Sequence, residues 1–159
     1  MAGFAASNLN ATTPAQQAMT TTFKTLINLA AASATALRRI RIHEYVFGTD
    51  GTPADNAMTW DVSRTTAAGT GTAGVVVPLD AADSAFLGVA TINYTAEPTV
   101  TANSSLWASG MNQRATHRWV AYPGQELVIP ATNLAGIAFR AKSPGYTGTA
   151  VAQLEFVEQ

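Results

Sequence analysis

The sequence predicts an all-β fold: an antiparallel, jelly-roll-like β-sandwich with an extended N-terminal arm and at most one short helix. Short segments alternate apolar and polar residues with a period of two, which is the pattern of half-buried strands. Breaks rich in Gly, Pro and Asn separate these segments at a spacing typical of sandwiches, and no internal repeat indicates a propeller or a solenoid. The predicted strands cover residues 23–29, 37–47, 58–63, 105–111, 115–122, 126–129, 136–142 and 150–156.

The first 22 residues differ in composition from the rest of the chain. Residues 2–22 carry no charged side chain and few large apolar ones apart from Phe4, Leu9 and Met19. Such a segment buries too little apolar surface to fold alone, and its run of three threonines favours an extended chain over a helix. We therefore expect an extended arm at residues 1–22 that docks on another molecule, followed by one sandwich domain at residues 23–159.

The composition limits the classes of function. The chain has 159 residues, enough for one domain, and only 12% of them are charged, with a net charge of −1. Electrostatic attraction to nucleic acid or to anionic lipid is therefore weak, and neither is expected as a partner. There is no cysteine, which excludes disulfides and thiolate metal sites. No apolar run approaches the roughly 20 residues of a membrane-spanning helix, and the N-terminus lacks the pattern of a secretory signal.

Two segments have motif-like sequences. Residues 69–74 match G-x-G-x-x-G, which binds pyrophosphate where a helix follows, but the apolar residues 75–77 and Pro78 follow here. This context predicts a hairpin loop instead. Beyond Pro78, Asp80 is placed to cap a short connecting helix that continues to Leu87.

No set of residues predicts catalysis or a metal site. His43 and His117 lie in different predicted strands, and neither H-x-H nor H-E-x-x-H spacing occurs. Ser63, His117 and Asp61 supply the residue types of a catalytic triad, but no nucleophile elbow accompanies them. We expect no cofactor, no bound metal and no catalytic residue.

A basic row marks one predicted strand. Arg39, Arg41 and His43 alternate with Ile40 and Ile42, so the three basic side chains share one face of the strand. A solvated face paired with nearby carboxylates is the favoured interpretation. Docking against an acidic protein surface is the alternative.

Glu44 falls in phase with the apolar residues of the same strand, so regular alternation points it toward the core. A buried carboxylate needs a donor, and Arg118, Arg140 or an arginine of a neighbouring subunit would serve. The predicted capsid or subunit contacts are therefore Phe4 and Leu9 of the arm together with Arg39, Arg41 and Glu44.

Two stretches resemble segments of tailed-phage virion proteins. They are residues 97–106 (EPTVTANSSL) and residues 112–127, which contain NQRATHRWVA and PGQEL. The similarity runs from about residue 37 to about residue 158 and resembles small capsid decoration, or cement, proteins. This resemblance implies a β-sandwich that sits as a homotrimer on the outer surface of the head, binds the major capsid protein and is made in the host cytoplasm. It carries no catalytic residue, and the N-terminal arm lies outside it.

The expected function is therefore non-enzymatic stabilisation of a phage head by bridging neighbouring capsomers. One alternative is a neck or tail-fibre domain that binds host glycan through exposed aromatic residues such as Trp60, Trp107 and Trp119. A small hydrolase of sandwich fold is the remaining alternative, and it would need convergent carboxylates or histidines in a concave site.

Overall fold

Two six-stranded antiparallel sheets pack face to face in the computed structural model, which describes residues 2–9, 16–31 and 37–159. Sheet I contains β1 (Ala2–Ser7), β3 (Ile40–Asp50), β6 (Val76–Pro78), β9 (His117–Val120), β10 (Leu127–Ile129) and β12 (Thr149–Glu158). Sheet II contains β2 (Lys24–Ala30), β4 (Ala57–Ala67), β5 (Thr70–Ala73), β7 (Val89–Ala96), β8 (Thr99–Asn112) and β11 (Gly136–Lys142). The predicted all-β sandwich is confirmed.

The strand pairing is nested in the manner of a jelly roll. β1 pairs with β12, β2 with β11, β3 with β9 and β10, and β4 with β8. Each pair therefore lies, in sequence, between the two strands of the pair before it. Within each sheet a further contact joins the nested pairs, β12 to β3 in sheet I and β11 to β4 in sheet II. Strands β5, β6 and β7 are an insertion between β4 and β8, and they extend sheet I beyond β1 and sheet II beyond β2. This is jelly-roll topology with widened sheets.

Aromatic rings fill the space between the sheets. Tyr45 and Phe47 of β3 point inward from sheet I, and Trp60 and Phe139 point inward from sheet II. The ring centroids of Phe47 and Trp60 lie 4.8 Å apart, and those of Tyr45 and Phe139 lie 5.3 Å apart. These contacts join the two sheets directly, because each pair takes one ring from each sheet.

The structure corrects the expectation of a separate N-terminal arm. Residues 2–7 form β1, which lies between β12 and β6 inside sheet I. Phe4 is 0% exposed and its ring centroid is 5.8 Å from that of Phe156. Met19 is also buried, and its backbone N–H donates to the carbonyl of Gly148 at 3.0 Å. Residues 10–15 lie outside the described residues, and the described parts of the expected arm belong to the sandwich.

The short helix expected after Pro78 does not form. Asp80 accepts a hydrogen bond from the Ala82 N–H at 2.9 Å, and its carbonyl accepts one from Asp83 at 3.0 Å, so it caps a single turn. The chain then leaves the turn because Phe86 packs against Phe4 at 5.4 Å between ring centroids. The described residues contain no helix, and most of the G-x-G-x-x-G segment forms β5.

A β-bulge in β3 explains why Glu44 does not face the core. Glu44 pairs with Glu155, whereas the next residue of β12, Phe156, pairs with Ile42, which leaves His43 as an extra residue in β3. The bulge shifts the phase of the alternation. Ile40 and Ile42 point inward before it, and Tyr45 and Phe47 point inward after it. The expectation of a core-facing Glu44 was wrong for this reason.

Candidate functional site

The outer faces of the two sheets differ in how much of them is accessible. On sheet II the outward residues Asp61 and Ser63 are buried. Asp61 accepts hydrogen bonds from Arg140 at 2.6 Å, from Ser63 at 2.7 Å and from Ser105 at 2.7 Å. The Arg140 guanidinium in turn lies 4.7 Å from the ring centroid of Phe23. Asn28 and Thr65, which share this face and a hydrogen bond of 3.0 Å, are buried as well, so the middle of the outer face of sheet II is not accessible.

The outer face of sheet I is open. Val77, Ala5, Glu155, Glu44 and Val120 are successive neighbours across β6, β1, β12, β3 and β9. Each of these side chains is exposed or half-buried, and Val77 and Val120 at the two margins are 45% and 51% exposed. We call this surface the open face. Its outward residues are Gly3, Ala5, Ser7, Arg41, His43, Glu44, Val46, Gly48, Val77, Arg118, Val120, Val128, Val151, Gln153, Glu155 and Val157.

A shallow groove runs along β1 within the open face. Its volume is about 190 Å³, and Ala5 and Ser7 contribute to its floor while Val77 and Gln153 stand on either side. The groove exists because the outward residues of β1 are all small, whereas its neighbours β6 and β12 carry larger side chains. A ridge on a partner would therefore find a complementary depression along this strand.

One ion pair lies at the centre of the open face. Arg118 donates to both carboxylate oxygens of Glu44, with Nε 2.6 Å from Oε1 and Nη2 2.7 Å from Oε2. The hydrogen bond from Arg118 lowers the pKa of Glu44, and that of Arg118 is raised by the same bond. The expected arginine partner of Glu44 is thus present in the same chain. Among the described residues Glu155, beside Glu44, makes no ion pair.

A second ion pair lies beside it. Arg41 Nη2 is 2.7 Å from Glu126 Oε2. The pKa of Glu126 is lowered to about 2, first by its own backbone N–H, then by Arg41 and by the Gly124 N–H. Arg41 is therefore paired with a nearby carboxylate, as the favoured interpretation of the basic row predicts, and the alternative of docking against an acidic partner loses this charge.

The five predicted contact residues lie in three different environments. Arg41 and Glu44 both belong to the open face, while Phe4 lies in the core and is excluded as a contact. Leu9 is 44% exposed just beyond the end of β1. Arg39 is exposed, and its backbone exchanges hydrogen bonds with Gln159 at 2.8 and 3.0 Å. The bulge at His43 brings Glu44 onto the same face of β3 as Arg41 and His43.

Sequence reasoning missed the small and aliphatic part of the open face. The signal was present in β1, where Gly3, Ala5 and Ser7 alternate with Phe4 and Ala6 at a period of two. The low charge of the segment made it look like an unstructured arm, so the alternation was overlooked.

The residues of the hypothetical catalytic triad do not come together. Asp61 and Ser63 lie on the outer face of sheet II, whereas His117 points inward from sheet I and stacks on Trp107 with 4.6 Å between ring centroids. Burial lowers the pKa of His117. Within the described part of the chain, no three His, Cys, Asp or Glu side chains are grouped so that they could hold a metal ion.

The tryptophans do not form an exposed platform for sugar. Trp60 is fully buried, and Trp107 and Trp119 are half-buried. Trp119 points inward and stacks on Tyr45, with 5.1 Å between ring centroids. Tyr122, which is 80% exposed, is the most accessible of the large apolar and aromatic side chains among the described residues. A single exposed ring gives little stacking surface for a glycan.

The described part of the chain contains no helix that is long and apolar enough to cross a membrane.

No protein-family model, no curated protein and no solved structure matches this chain.

Proposed function

We propose that the chain is a non-enzymatic structural protein of a tailed-phage virion, a capsid decoration protein that binds the outer surface of the head. In this proposal it is made in the host cytoplasm, assembles as a homotrimer and bridges neighbouring copies of the major capsid protein. The resemblance of residues 97–106 and 112–127 to such proteins supports this function. Jelly rolls occur in viral capsid proteins and in lectins, so the fold agrees with the proposal at the level of analogy only.

The open face is the observation that carries the proposal. Strands β9 and β10 pair with successive parts of the same edge of β3, so the sheet is five strands wide. Five strands about 4.8 Å apart give a width of roughly 19 Å, and a ten-residue strand such as β12 is about 34 Å long. These dimensions approach one side of a standard protein interface, about 800 Å² per partner. Four outward residues are charged, and Arg41 and Arg118 are neutralised in ion pairs. Glu155 is the charged residue of this face that a partner would have to supply with a hydrogen-bond donor, because burying an unpaired carboxylate is costly.

The mechanism is binding without turnover. A head shell repeats its surface many times, so many weak contacts through the open face add up to a stable coat by avidity.

Cosedimentation with heads that lack this protein tests the proposal. The wild-type chain should pellet with the heads at a saturating stoichiometry, and Val77→Asp should weaken binding by at least tenfold, because it places a charge in the groove of the open face. Val89→Asp is the matched control, since Val89 is similarly exposed at 37% but belongs to sheet II. Circular dichroism should show that both variants are folded. Failure of the wild-type chain to bind heads, or equal loss of binding in both variants, would contradict the proposal.

A further inference from the structure

β8 forms one margin of sheet II and has a partner strand on one side only. It pairs with β4 and ends the strand order of the sheet. Edge strands usually carry charged residues or proline, or are very short, since these features discourage pairing with another chain. β8 spans fourteen residues, Thr99–Asn112, and contains neither a charged residue nor a proline.

Only the first part of β8 is protected by irregularity. The pairing between β4 and β8 shifts register three times between Trp107 and Thr99, and Asn103 has a φ of 54°. Bulges of this kind twist an edge away from incoming strands. From Trp107 to Asn112 the register is regular, so this half retains the flat geometry that strand addition needs.

The direction of the backbone groups in the regular half follows from one hydrogen bond. The Gln113 N–H donates to the Asn56 carbonyl at 2.8 Å. In an antiparallel pair the N–H and C=O groups of every second residue point to the same neighbour, so those of Trp107, Ser109 and Met111 point toward β4 as well. The backbone groups of Ala108, Gly110 and Asn112 must then point away from β4. All three residues are exposed, and the first two have little or no side chain.

We propose that the regular halves of β8 in two copies of this chain pair antiparallel across a two-fold axis at Gly110. Gly110 of one copy would then exchange N–H···O bonds with Gly110 of the other, and the Asn112 N–H would donate to the Ala108 carbonyl. The Asn112 carbonyl already accepts a hydrogen bond from the Ala115 N–H at 2.9 Å. This register therefore gives about four main-chain hydrogen bonds and continues sheet II across both copies. It is an isologous contact, because the same residues contribute from each side.

A second copy of the chain is a suitable partner for this edge because the edge is uncharged. A two-fold axis brings residues close to the axis near their own equivalents in the other copy. A charge anywhere near the axis would face a like charge, and like charges opposite each other destabilise strand pairing. β8 has none along its whole length. The missing side chain of Gly110 leaves the crossing point free of steric conflict.

The pairing uses a different surface from the open face and does not depend on binding to a capsid. In a homotrimer it would join subunits of two different trimers, so that a layer of such proteins could be cross-linked sideways. The mass in solution would then be an even multiple of the subunit mass, two subunits or six.

Gly110→Pro tests the pairing because it removes an N–H that makes no bond within the chain, and proline is tolerated in edge strands at such positions. Light scattering over a range of concentrations should give a mass half that of the wild-type protein. Ala108→Lys should do the same by placing a charge near the axis. Ala102→Lys, in the irregular half of β8, is the matched control and should leave the mass unchanged.

Hydrogen exchange gives a second readout that needs no variant. The amides of Gly110 and Asn112 should exchange more slowly as the protein concentration rises, while the control amide of Ala102 should not respond. A wild-type mass of one or three subunits at every concentration would overturn the pairing. So would folded Gly110→Pro and Ala108→Lys proteins with undiminished mass. Cosedimentation with heads is a separate measurement, so failure of capsid binding and failure of strand pairing are distinguishable.

Discussion

At the scale of single residues, Phe4 determines where the N-terminal segment lies. Its ring packs between Phe156 of the neighbouring strand and Phe86 of the loop after β6. Burying an aromatic side chain stabilises a fold by a few kcal/mol, and this burial together with the hydrogen bonds on both sides of β1 offsets the entropy lost in ordering the strand. One large side chain thus attaches a segment that is otherwise small and uncharged.

We expect Phe4→Ala to lower the free energy of unfolding by about 3–5 kcal/mol, because it leaves a cavity in the core. Leu9→Ala, a short distance along the chain, should change it by less than about 0.5 kcal/mol, because Leu9 is exposed. Urea denaturation of both variants gives the comparison. If both substitutions lower the free energy of unfolding by the same small amount, the N-terminal segment is a free arm in solution.

At the scale of elements, the bulge in β3 decides which residues form the open face. His43 and Glu44 both point outward at the bulge, and the His43 carbonyl accepts a hydrogen bond from the Ala121 N–H at 2.8 Å. Without the extra residue, the second half of the strand would have to follow the phase of the first. Glu44 would then point inward, and Tyr45 and Phe47 would point to solvent.

Deletion of His43 should therefore be tolerated better than deletion of a neighbouring residue. Without His43, Ile42 still points inward, Glu44 outward and Tyr45 inward, and the main loss is one hydrogen bond of about 1 kcal/mol. Deletion of Val46 should cost several times more, because it turns Phe47 toward the open face or forces the pairing with β12 to shift. The urea midpoints of the two deletion variants check this. Equal destabilisation would show that the bulge has no role in setting the phase.

At the scale of the whole molecule, the nested pairing makes the fold depend on contacts between distant parts of the chain. Ala2 pairs with Glu158, and each inner pair also joins segments far apart in sequence. Such topologies fold slowly because loop closure precedes most of the stabilising contacts. Conditions that disturb one layer should then affect the molecule as a unit.

Lowering the pH is such a condition. As the pH falls from 7, His117 should be the first of these groups to affect the free energy of unfolding. Its folded pKa lies below 6.5, so the unfolded chain binds the proton more readily and stability falls as the pH drops below about 6.5. Glu44 and Glu126 have pKa values below 4.5 in the fold, so the stability they contribute is present above about 4.5 and is lost at lower pH. Burial raises the pKa of Glu158, which acts in the opposite direction.

The variant His117→Phe separates these contributions. Phenylalanine keeps a flat ring against Trp107 but binds no proton, so its urea midpoint should fall less than that of the wild-type protein between pH 7 and pH 5. Both proteins should lose stability together below about pH 4.5, where the carboxylates titrate. Parallel curves over the whole range would show that His117 titrates alike in the folded and unfolded chains.

The candidate site was predictable only in part. Arg41 and Glu44 were expected as contacts and do lie on the open face, and the arginine partner of Glu44 was among those expected. The groove along β1 was not expected, because it depends on which strands flank β1. The division of β8 into an irregular and a regular half was likewise not predictable from the sequence, since a bulge is a property of two paired strands.

The all-β sandwich and the places of most of its strands were predictable from the sequence alone, because a period of two is a local property of each segment. Three features depend on tertiary contacts: the place of β1 between β12 and β6, the reversed phase of β3 at His43, and the accessible outer face of sheet I rather than sheet II. These features arise from cross-strand partners far away in the chain. A segment's own residues do not record which neighbours it will have.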